Sequence, residues 1–341
     1  MRVVVTGATG NAGTSVVRAL AADSKVTDVL GIARRRPGLD IPGVRWAEAD
    51  IDPGGARLSE LFSGADAIVH LAWKFQPTHD PVETWRTNVL GGIRVFEACA
   101  AAGVHVLVHA SSVGAYSPGP ADGRPVDESW PTHGWPGAPY TREKAYLERY
   151  LDGFQRDHPG IRVVRMRPAF LFKTGAASEQ RRIFAGPLLP WRLVRPGLIP
   201  ALPDITGFRF QALHTDDAAE AYRAAVLRPV RGPFNLVADP VLDIAAVARL
   251  LDARTVPMPA GAARAALAAA WSLHLAPAHP GLLDAVLRLP LLDAGRAREE
   301  LAWTPSHTAT DAVGAFLEGL RHGTGLDTPP LAAAAGGAAD R

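Results

Sequence analysis

The sequence predicts an α/β protein built on a doubly wound parallel sheet, with a smaller, mostly C-terminal substrate-binding region beside it. Two observations support this fold class. Short apolar runs alternate with longer segments of helical spacing in the first half of the chain, which indicates right-handed βαβ units. Runs such as Val3-Val4-Val5 and Val106-Leu107-Val108 are apolar throughout, as expected of strands covered by helices on both faces.

The predicted elements follow one another in regular order. Strands are expected at residues 2–6, 26–33, 44–47, 67–71, 104–110 and 161–167. Helices are expected at residues 12–22, 58–62, 82–102 and 140–158. After about Phe170, segments rich in proline and glycine separate short helical stretches, and one more strand-like run spans 232–237.

This change of rhythm suggests a division of the chain. Residues 1–170 and about 207–240 are expected to form the sheet domain. Residues 171–206 and 241–328 are expected to form a substrate-binding or lid region. Residues 329–341, rich in alanine and glycine, are expected to form a flexible tail.

Composition excludes several classes of protein. The 341 residues are 48% apolar and 21% charged, the usual mix of a globular protein with a sizeable core. Lysine and arginine number 36 against 34 acidic residues, a net charge of +2 that gives no reason to expect nucleic acid or an anionic membrane as partner. The single cysteine, Cys99, cannot form an internal disulfide, which favours a cytoplasmic protein.

Further features of the sequence exclude other classes of protein. Only three valines precede Thr6-Gly7, too short a run for a secretion signal, and the alanine-rich stretch from Ala262 is interrupted by charged residues and prolines. The histidines lack metal-ligand spacing and no G-x-S-x-G motif occurs. We therefore expect no metal site, no membrane span and no serine hydrolase.

A glycine-rich turn joins the first strand to the first helix. Gly7, Gly10 and Gly13 lie three residues apart, so the backbone can approach a pyrophosphate closely and point the N–H groups of the helix terminus at it. No Lys-Ser/Thr pair follows, which excludes a P-loop. The expected cofactor contacts in this turn are Gly7, Thr9, Gly10, Asn11, Ala12 and Gly13.

The end of the second strand indicates which dinucleotide is bound. An acid at this point accepts hydrogen bonds from the adenosine ribose of NAD, whereas an arginine suits the 2′-phosphate of NADP. This strand ends in Arg34-Arg35-Arg36, so Arg34 and Arg35 favour NADP, with NAD as the alternative. Asp50 and Ile51, just past the third strand, are placed to meet the adenine ring.

Chemistry-bearing residues follow the fifth predicted strand. Tyr140 and Lys144 lie four apart on one face of a helix. Ser111 and Ser112 end a strand at the carboxyl edge of the sheet, where ligands bind in doubly wound folds. A hydroxyl, a Tyr–Lys face and a dinucleotide turn together indicate a site for hydride transfer.

In these motifs the sequence resembles the extended short-chain dehydrogenase/reductase superfamily, of the NAD-dependent epimerase/dehydratase type, which has a dinucleotide-binding Rossmann domain. The resemblance covers roughly residues 2–322. The matching segments are Thr6-Gly-x-x-Gly-x-x-Gly13, Asp50-Ile51, His70-Leu-Ala72, Thr87-Asn-Val-x-Gly91, Ser111-Ser-x-x-x-Tyr116, Tyr140-x-x-x-Lys144, Arg167-Pro168, His214-Thr-Asp-Asp217 and Leu301-Ala-Trp-Thr-Pro305.

The resemblance implies a role for each matching residue. Tyr140 would be the general acid/base, and Lys144 would bind the nicotinamide ribose and lower the pKa of Tyr140. Ser112 would hydrogen-bond the reacting oxygen, and Asn88 would support the site. Further cofactor contacts would come from Leu71, Ala72 and Pro168. A free tyrosine titrates near 10, so work near pH 7 needs a shift of about 3 units, or ~4 kcal/mol.

Departures from the family pattern limit the substrate. Val113-Gly114 follow Ser112 where sugar-nucleotide dehydratases carry Asp-Glu, which disfavours 4,6-dehydration. The segment Arg165-Met-Arg-Pro-Ala-Phe170 lacks the asparagine of many sugar-nucleotide epimerases. Trp73, Phe75, Phe170 and Phe172 would lie near the cleft, either as substrate contacts or as core and lid packing. The substrate contacts we expect are Trp73, Ser112 and Phe170.

We therefore interpret the chain as an NAD(P)-dependent oxidoreductase that moves a hydride between nicotinamide and a carbonyl or secondary alcohol carbon. One alternative is an epimerase that uses the same Ser-Tyr-Lys site, and another is a non-catalytic cofactor-binding protein. The expected partner is a small-molecule substrate. The apolar faces of helices 82–102 and 140–158 also suggest a homodimer, although core packing alone would explain them.

Overall fold

The fold was analysed in a computed structural model, which describes residues 1–52, 58–76, 78–185 and 194–333. Residues 334–341 of the expected tail and 186–193 of the expected lid region lie outside the described residues. Among the described residues, no helix combines the length and the apolar character needed to cross a bilayer.

Seven parallel strands form the central sheet, as the sequence predicts. They are β1 (Arg2–Thr6), β2 (Asp28–Ala33), β3 (Val44–Glu48), β4 (Ala67–His70), β5 (Val106–Ala110), β6 (Arg162–Pro168) and, late in the chain, β10 (Gly232–Leu236). Their order across the sheet is β10-β6-β5-β4-β1-β2-β3. Strand order reverses beside β1, so the carboxyl ends of β1 and β4 flank the crevice in which such sheets bind ligands.

Helices cover both faces of this sheet, and further helices pack in the C-terminal half of the chain. They are α1 (Asn11–Ala21), α2 (Leu58–Phe62), α3 (Pro81–Trp85), α4 (Gly91–Ala101), α5 (Pro139–Asp157), α6 (Ala177–Gln180), α7 (Thr215–Leu227), α8 (Ile244–Leu250), α9 (Ala260–Ser272), α10 (Pro280–Val286), α11 (Gly295–Glu300) and α12 (Ala309–His322). Side chains alternate along a strand, so Val3 and Val5 pack with α1 and α7, whereas Val4 packs with α4 and α5. All three valines are fully buried, which explains the continuous apolar run.

The expected helix 82–102 is divided into three pieces. A π-helical turn, Arg86–Leu90, separates α3 from α4. Gly91 follows this turn and approaches Ile51 so closely that an added Cβ would lie 3.1 Å from its side chain. The apolar period alone did not predict the break, because a single extra residue in one turn leaves the pattern of buried positions almost unchanged.

Two small sheets beside the central one were not predicted. One contains β7 (Phe170–Phe172), β9 (Arg209–His214) and β11 (Ala238–Asp243), and the other contains β8 (Ala201–Ile205) and β12 (Arg254–Met258). Of the stretch 207–240, α7 and β10 lie with the central sheet, whereas β9 pairs outside it. The strand β7 has only three residues, and β8, β11 and β12 each contain a proline and partly exposed residues, so they carry little period-two signal.

The described C-terminal residues are packed against the body of the protein. Leu331 is fully buried and its N–H donates to the carbonyl of Thr328 at 3.1 Å. The chain is therefore ordered at least four residues beyond the expected start of the tail at 329, because an apolar side chain in that segment finds a buried place.

A buried ionic cluster joins α5 to β6. The carboxylate of Glu148 accepts from Ser111 Oγ at 2.6 Å, from Arg165 Nη1 at 3.0 Å and from Arg167 Nε at 2.9 Å. Glu148 is fully buried, and the two guanidinium groups outweigh the cost of that burial, so its pKa falls from 4.5 to about 2. The cluster fixes the strand end that carries Ser111 to the helix that carries Tyr140.

We expect Glu148→Gln to lower the free energy of unfolding by roughly 3–5 kcal/mol at pH 7, since it removes the carboxylate partner of the buried Arg167 and leaves Arg165 with Asp152 alone. Urea unfolding measures this, with Glu300→Gln as a control that removes a partly exposed ion pair and costs less than about 1 kcal/mol. The lowered pKa adds stability above about pH 5 that disappears as the pH falls towards 2, so the difference between wild type and Glu148→Gln should shrink over that range. A loss equal to that of the control would contradict this account.

Candidate active site

The glycine turn lies between the end of β1 at Thr6 and the start of α1 at Asn11. Gly7 has φ +71°, and a Cβ there would lie 2.5 Å from the backbone nitrogen of Ala72. A Cβ on Gly13 would lie 2.2 Å from the carbonyl oxygen of Gly7. Around Gly10, in contrast, an added Cβ would meet nothing nearer than 3.5 Å. The turn is therefore tight towards the protein and open at Gly10, which fits the close approach of a pyrophosphate.

Contacts with α7 and with the small sheet of β7, β9 and β11 hold this turn in place. Asn11 donates through Nδ2 to the carbonyl of Leu171 at 3.1 Å and accepts through Oδ1 from Thr215 Oγ1 at 3.0 Å. Lys173 donates to the Asn11 carbonyl and to Thr14 Oγ1, both at 2.7 Å. Burial lowers the pKa of Lys173 to about 8. Sequence reasoning missed Lys173, because nothing local to residue 173 indicates a contact with α1.

The residues expected at the adenosine end lie on two neighbouring loops. The side chains of Arg34 and Arg35 are exposed just past β2. The backbone of the following residue, Arg36, is fixed, because its N–H donates to Glu48 Oε1 at 3.0 Å. Asp50 accepts from the N–H of Asp52 at 3.0 Å in a local turn, and Ile51 is buried against Gly91. Both loops border the crevice beside the glycine turn.

Ser112 and Tyr140 meet at the carboxyl edge of the sheet. Ser112 follows β5, and Tyr140 lies in the first turn of α5, which begins with Pro139. The Ser112 hydroxyl lies beside the phenol, where its interaction lowers the pKa of Tyr140, and Ser112 Oγ accepts the N–H of Gly114 at 3.0 Å. A Cβ on Gly114 would lie 2.7 Å from the ring of Tyr140, so glycine is required there. The phenol and the hydroxyl thus face the same space.

Lys144 lies in the next turn of α5, with its ammonium group over the ring of Trp73. Its Nζ donates to the carbonyl of Ala110 at 2.7 Å and lies 3.5 Å from the ring centroid of Trp73. The same Nζ is 6.0 Å from the ring centroid of Tyr140. Burial lowers the pKa of Lys144 to about 7, although Glu143 and Glu148 oppose this shift by favouring the charged ammonium. Trp73, expected as a substrate contact, is therefore first of all a partner of Lys144.

The pKa of Tyr140 differs from the expectation. Burial of the phenol raises it to about 12, and the hydrogen bond with Ser112 offsets only part of that effect. Lys144 was expected to lower this pKa. That role of Lys144 stays a prediction; in this structure its ammonium donates to the carbonyl of Ala110 and lies over Trp73. At neutral pH the phenol keeps its proton.

Asn88 supports the site through the backbone of a neighbouring loop. It lies in the π-helical turn and is buried. Its Oδ1 accepts the N–H of Lys74 at 2.7 Å, and its Nδ2 donates to the Lys74 carbonyl at 2.8 Å and to Glu143 Oε2 at 2.7 Å. Asn88 therefore fixes the loop that carries Trp73. Glu143, which sequence reasoning missed, also accepts from Thr84 at 2.7 Å, and burial raises its pKa.

Aromatic rings cover the phenol. Phe75 stacks on Tyr140 with a centroid distance of 5.3 Å, and Trp73 meets Tyr140 edge-on at 5.6 Å. Phe184 contacts Phe75 at 5.8 Å, and both are partly exposed. Phe170 packs on Phe172 and Phe210 in the small sheet of β7, β9 and β11, and its role as a substrate contact stays a prediction. The cover over the phenol therefore comes from the loop after β4 and from the segment after α6.

The remaining expected cofactor contacts lie at strand ends. Leu71 donates its N–H to the carbonyl of Thr6 at 3.0 Å, which extends the pairing of β4 with β1, and Ala72 lies against Gly7. Pro168 ends β6, paired with Leu236 of β10. Among the described residues, no group of three or more histidine, cysteine, aspartate or glutamate side chains is arranged to hold a metal ion.

This fold and this turn define a Rossmann-fold protein with a site at the carboxyl edge of its sheet. The chain belongs to the NAD-dependent epimerase/dehydratase family, whose model matches residues 3–236. Members of this family are NAD-dependent enzymes, and so is this chain.

Individual relatives differ in their reactions. The chain is 33% identical over 192 residues to an L-arabinose 1-dehydrogenase (NAD(P)(+)) of Haloferax volcanii, covering 52% of this chain and 70% of that protein. It is 28% identical over 337 residues to a UDP-glucose 4-epimerase of Azospirillum brasilense, covering 92% and 89%. The crystal structure of a Thermus thermophilus UDP-glucose 4-epimerase in complex with NAD superposes with a TM-score of 0.68 at 22% identity, covering 94% and 99%, which shows the shared fold.

We expect Trp73 to keep Lys144 charged. Trp73→Leu keeps the surroundings apolar but removes the aromatic face, so the pKa of Lys144 should fall from about 7 by roughly one further unit, given ~1–2 kcal/mol for a desolvated cation–π contact. Trp73→Phe keeps an aromatic face and should move it less. Carbon-13 NMR of the labelled lysine side chain measures both values. An unchanged or raised pKa in the leucine variant would show that the indole does not stabilise the ammonium.

Proposed function

We propose that the chain is an NAD(P)-dependent oxidoreductase that acts on a carbonyl or secondary alcohol carbon. The observation that carries this proposal is that Ser112, after β5, and Tyr140, at the start of α5, meet at the carboxyl edge of the sheet, beside a glycine turn that is open at Gly10. The match of residues 3–236 to the model of a family of NAD-dependent enzymes supports this proposal.

The proposed mechanism assigns a proton to a stated atom. Tyr140 holds its proton at neutral pH because its pKa is about 12, so it would protonate a substrate oxygen as that oxygen becomes negative. Ser112 would hydrogen-bond to the same oxygen and orient it. Lys144 would place positive charge below the phenol and hold the nicotinamide ribose. A bound nicotinamide would supply the hydride chemistry. The aromatic cover of Trp73 and Phe75 would exclude water.

The same residues would also serve an epimerase, the second candidate function. The match to UDP-glucose 4-epimerases over nearly the whole chain favours this candidate. An epimerase oxidises and reduces one carbon in turn, so cofactor should stay bound through purification and added NADPH should not be consumed. An oxidoreductase should consume added nucleotide with a suitable substrate. Nucleotide binding with no turnover on any substrate would favour a non-catalytic binding protein.

The substrate we propose is partly apolar. The rings of Phe75 and Phe184 are 36% and 40% exposed; Phe75 stacks on Tyr140 and Phe184 contacts Phe75, so both offer flat apolar contacts near the phenol. Arg165 and Arg167, in the segment where many sugar-nucleotide enzymes have an asparagine, are buried in the cluster with Glu148. Activity should therefore be tested with a panel of aldoses, aliphatic ketones and aryl ketones, in the directions of oxidation and of reduction.

We also propose a homodimer in the cytoplasm. Val82, Leu90 and Tyr146 are 75%, 44% and 44% exposed on the face formed by α3, the π-helical turn and α5. A second copy of the chain on this face would remove these apolar side chains from water. The single cysteine, Cys99, is a buried thiol, in keeping with a reducing compartment.

We expect Tyr140→Phe to reduce kcat at least about a hundredfold with any active substrate, because it removes the general acid. Nucleotide binding should be unchanged. Tyr146→Phe is the control, since Tyr146 lies on the same helix but is 44% exposed and contacts Trp85. Spectrophotometric assays at 340 nm measure turnover. If the Tyr140 variant keeps full activity, the proposed acid/base role is wrong.

We expect NADPH to bind more tightly than NADH, because Arg34 and Arg35 would pair with a 2′-phosphate. Arg34→Ala and Arg35→Ala should each weaken NADPH binding about tenfold and change NADH binding little, since one charge-assisted pair contributes ~1.5 kcal/mol. Nucleotide fluorescence titration measures both constants, with Arg254→Ala on the exposed strand β12 as the control. Equal or tighter binding of NADH by the wild type would contradict the preference for NADP.

A further inference from the structure

The segment after α12 returns to the glycine turn. The helix ends at Gly323, whose φ of +60° reverses the chain. Residues 324–333, which we name the C-terminal strap, then form a compact turn in which the N–H of Leu326 donates to the Leu331 carbonyl at 3.1 Å and the N–H of Ala332 donates to the Thr328 carbonyl at 2.9 Å. Leu331 is fully buried beneath this turn. The strap is thus a folded element with a defined position.

Two consecutive strap residues touch both loops of the adenosine end. The buried hydroxyl of Thr328 donates to the carbonyl of Thr9, in the glycine turn, at 2.9 Å. The carboxylate of Asp327 lies against Gly38, so closely that a Cβ on Gly38 would be 2.2 Å from its Oδ2. Gly38 lies three residues past Arg35, in the loop that follows β2. The strap therefore bridges the loops after β1 and β2, which border the adenosine ribose in this class of sheet.

The other side of the strap is attached to the region around α6. Ser178 Oγ donates to the carbonyl of Thr324 at 2.9 Å. Arg182 donates to the carbonyls of Ala332 at 3.0 Å and Pro330 at 2.5 Å. These contacts hold Asp327 in place beside Gly38, although its side chain is exposed. An exposed carboxylate on a fixed backbone at this position is available to a ligand.

We propose that the C-terminal strap forms part of the dinucleotide site and that Asp327 is a specificity-determining residue at the adenosine ribose. This inference rests on the proposed function. A carboxylate there accepts hydrogen bonds from ribose hydroxyls, which favours NADH, and repels a 2′-phosphate, which disfavours NADPH. Asp327 thus opposes Arg34 and Arg35 and supplies the acid that is missing from the end of β2. The protein binds both nucleotides as a result.

Titration of the full chain with NADPH and NADH by nucleotide fluorescence tests this inference without any substrate. Asp327→Asn should raise the ratio of the NADH to the NADPH dissociation constant about fivefold or more, as expected when one charge is removed within roughly 7 Å of a phosphate near a protein surface. Thr328→Val should weaken both nucleotides by a similar factor of about three to five, since it loosens the strap from the glycine turn without changing its charge.

Glu318→Gln is the matched control, because it removes the same charge from an exposed position on α12. Its ratio should equal that of the wild type. A ratio for Asp327→Asn within twofold of the wild type, while both nucleotides still bind, would overturn the role of Asp327 alone. A wild-type chain that binds neither nucleotide would overturn the proposed function, and the inference with it.

Discussion

A buried ammonium group is the constraint around which the site is arranged. Removing such a charge from water costs several kcal/mol unless other groups replace the lost hydration. For Lys144, the replacement comes from the carbonyl of Ala110 and the face of Trp73. Trp73 can lie against the ammonium only if its loop is fixed. Asn88 fixes this loop by hydrogen-bonding to both the N–H and the carbonyl of Lys74. The π-helical turn, the loop after β4 and the start of α5 are therefore linked through one charge.

Much of the fold was predictable because its strands are buried on both faces. Continuous apolar runs such as Val3-Val4-Val5 leave little choice of structure, and apolar periodicity over ten or more residues predicts helices such as α1 and α5, although not the break within 82–102. The lid region was not predictable in the same way. Strands such as β8 and β12 contain proline and partly exposed residues, so their pairing depends on neighbours far along the chain and not on a local pattern.

The site was predictable where chemistry demands a residue type at a strand or helix end, as for Ser112 and Tyr140. The missing parts are those that depend on contacts between distant segments. In the sequence, nothing distinguishes Glu148 from the other charged residues of its helix. In the structure it is fully buried between Arg165 and Arg167. Lys173 likewise gives no local signal of its bonds to α1.

One short segment connects the two ends of the site. Arg182 binds carbonyls of the C-terminal strap, and Phe184, two residues on, contacts Phe75 over the phenol of Tyr140. Both residues belong to a second π-helical turn, Arg181–Ala185. The C-terminal strap and the aromatic cover over Tyr140 are therefore attached to the same five residues of the chain.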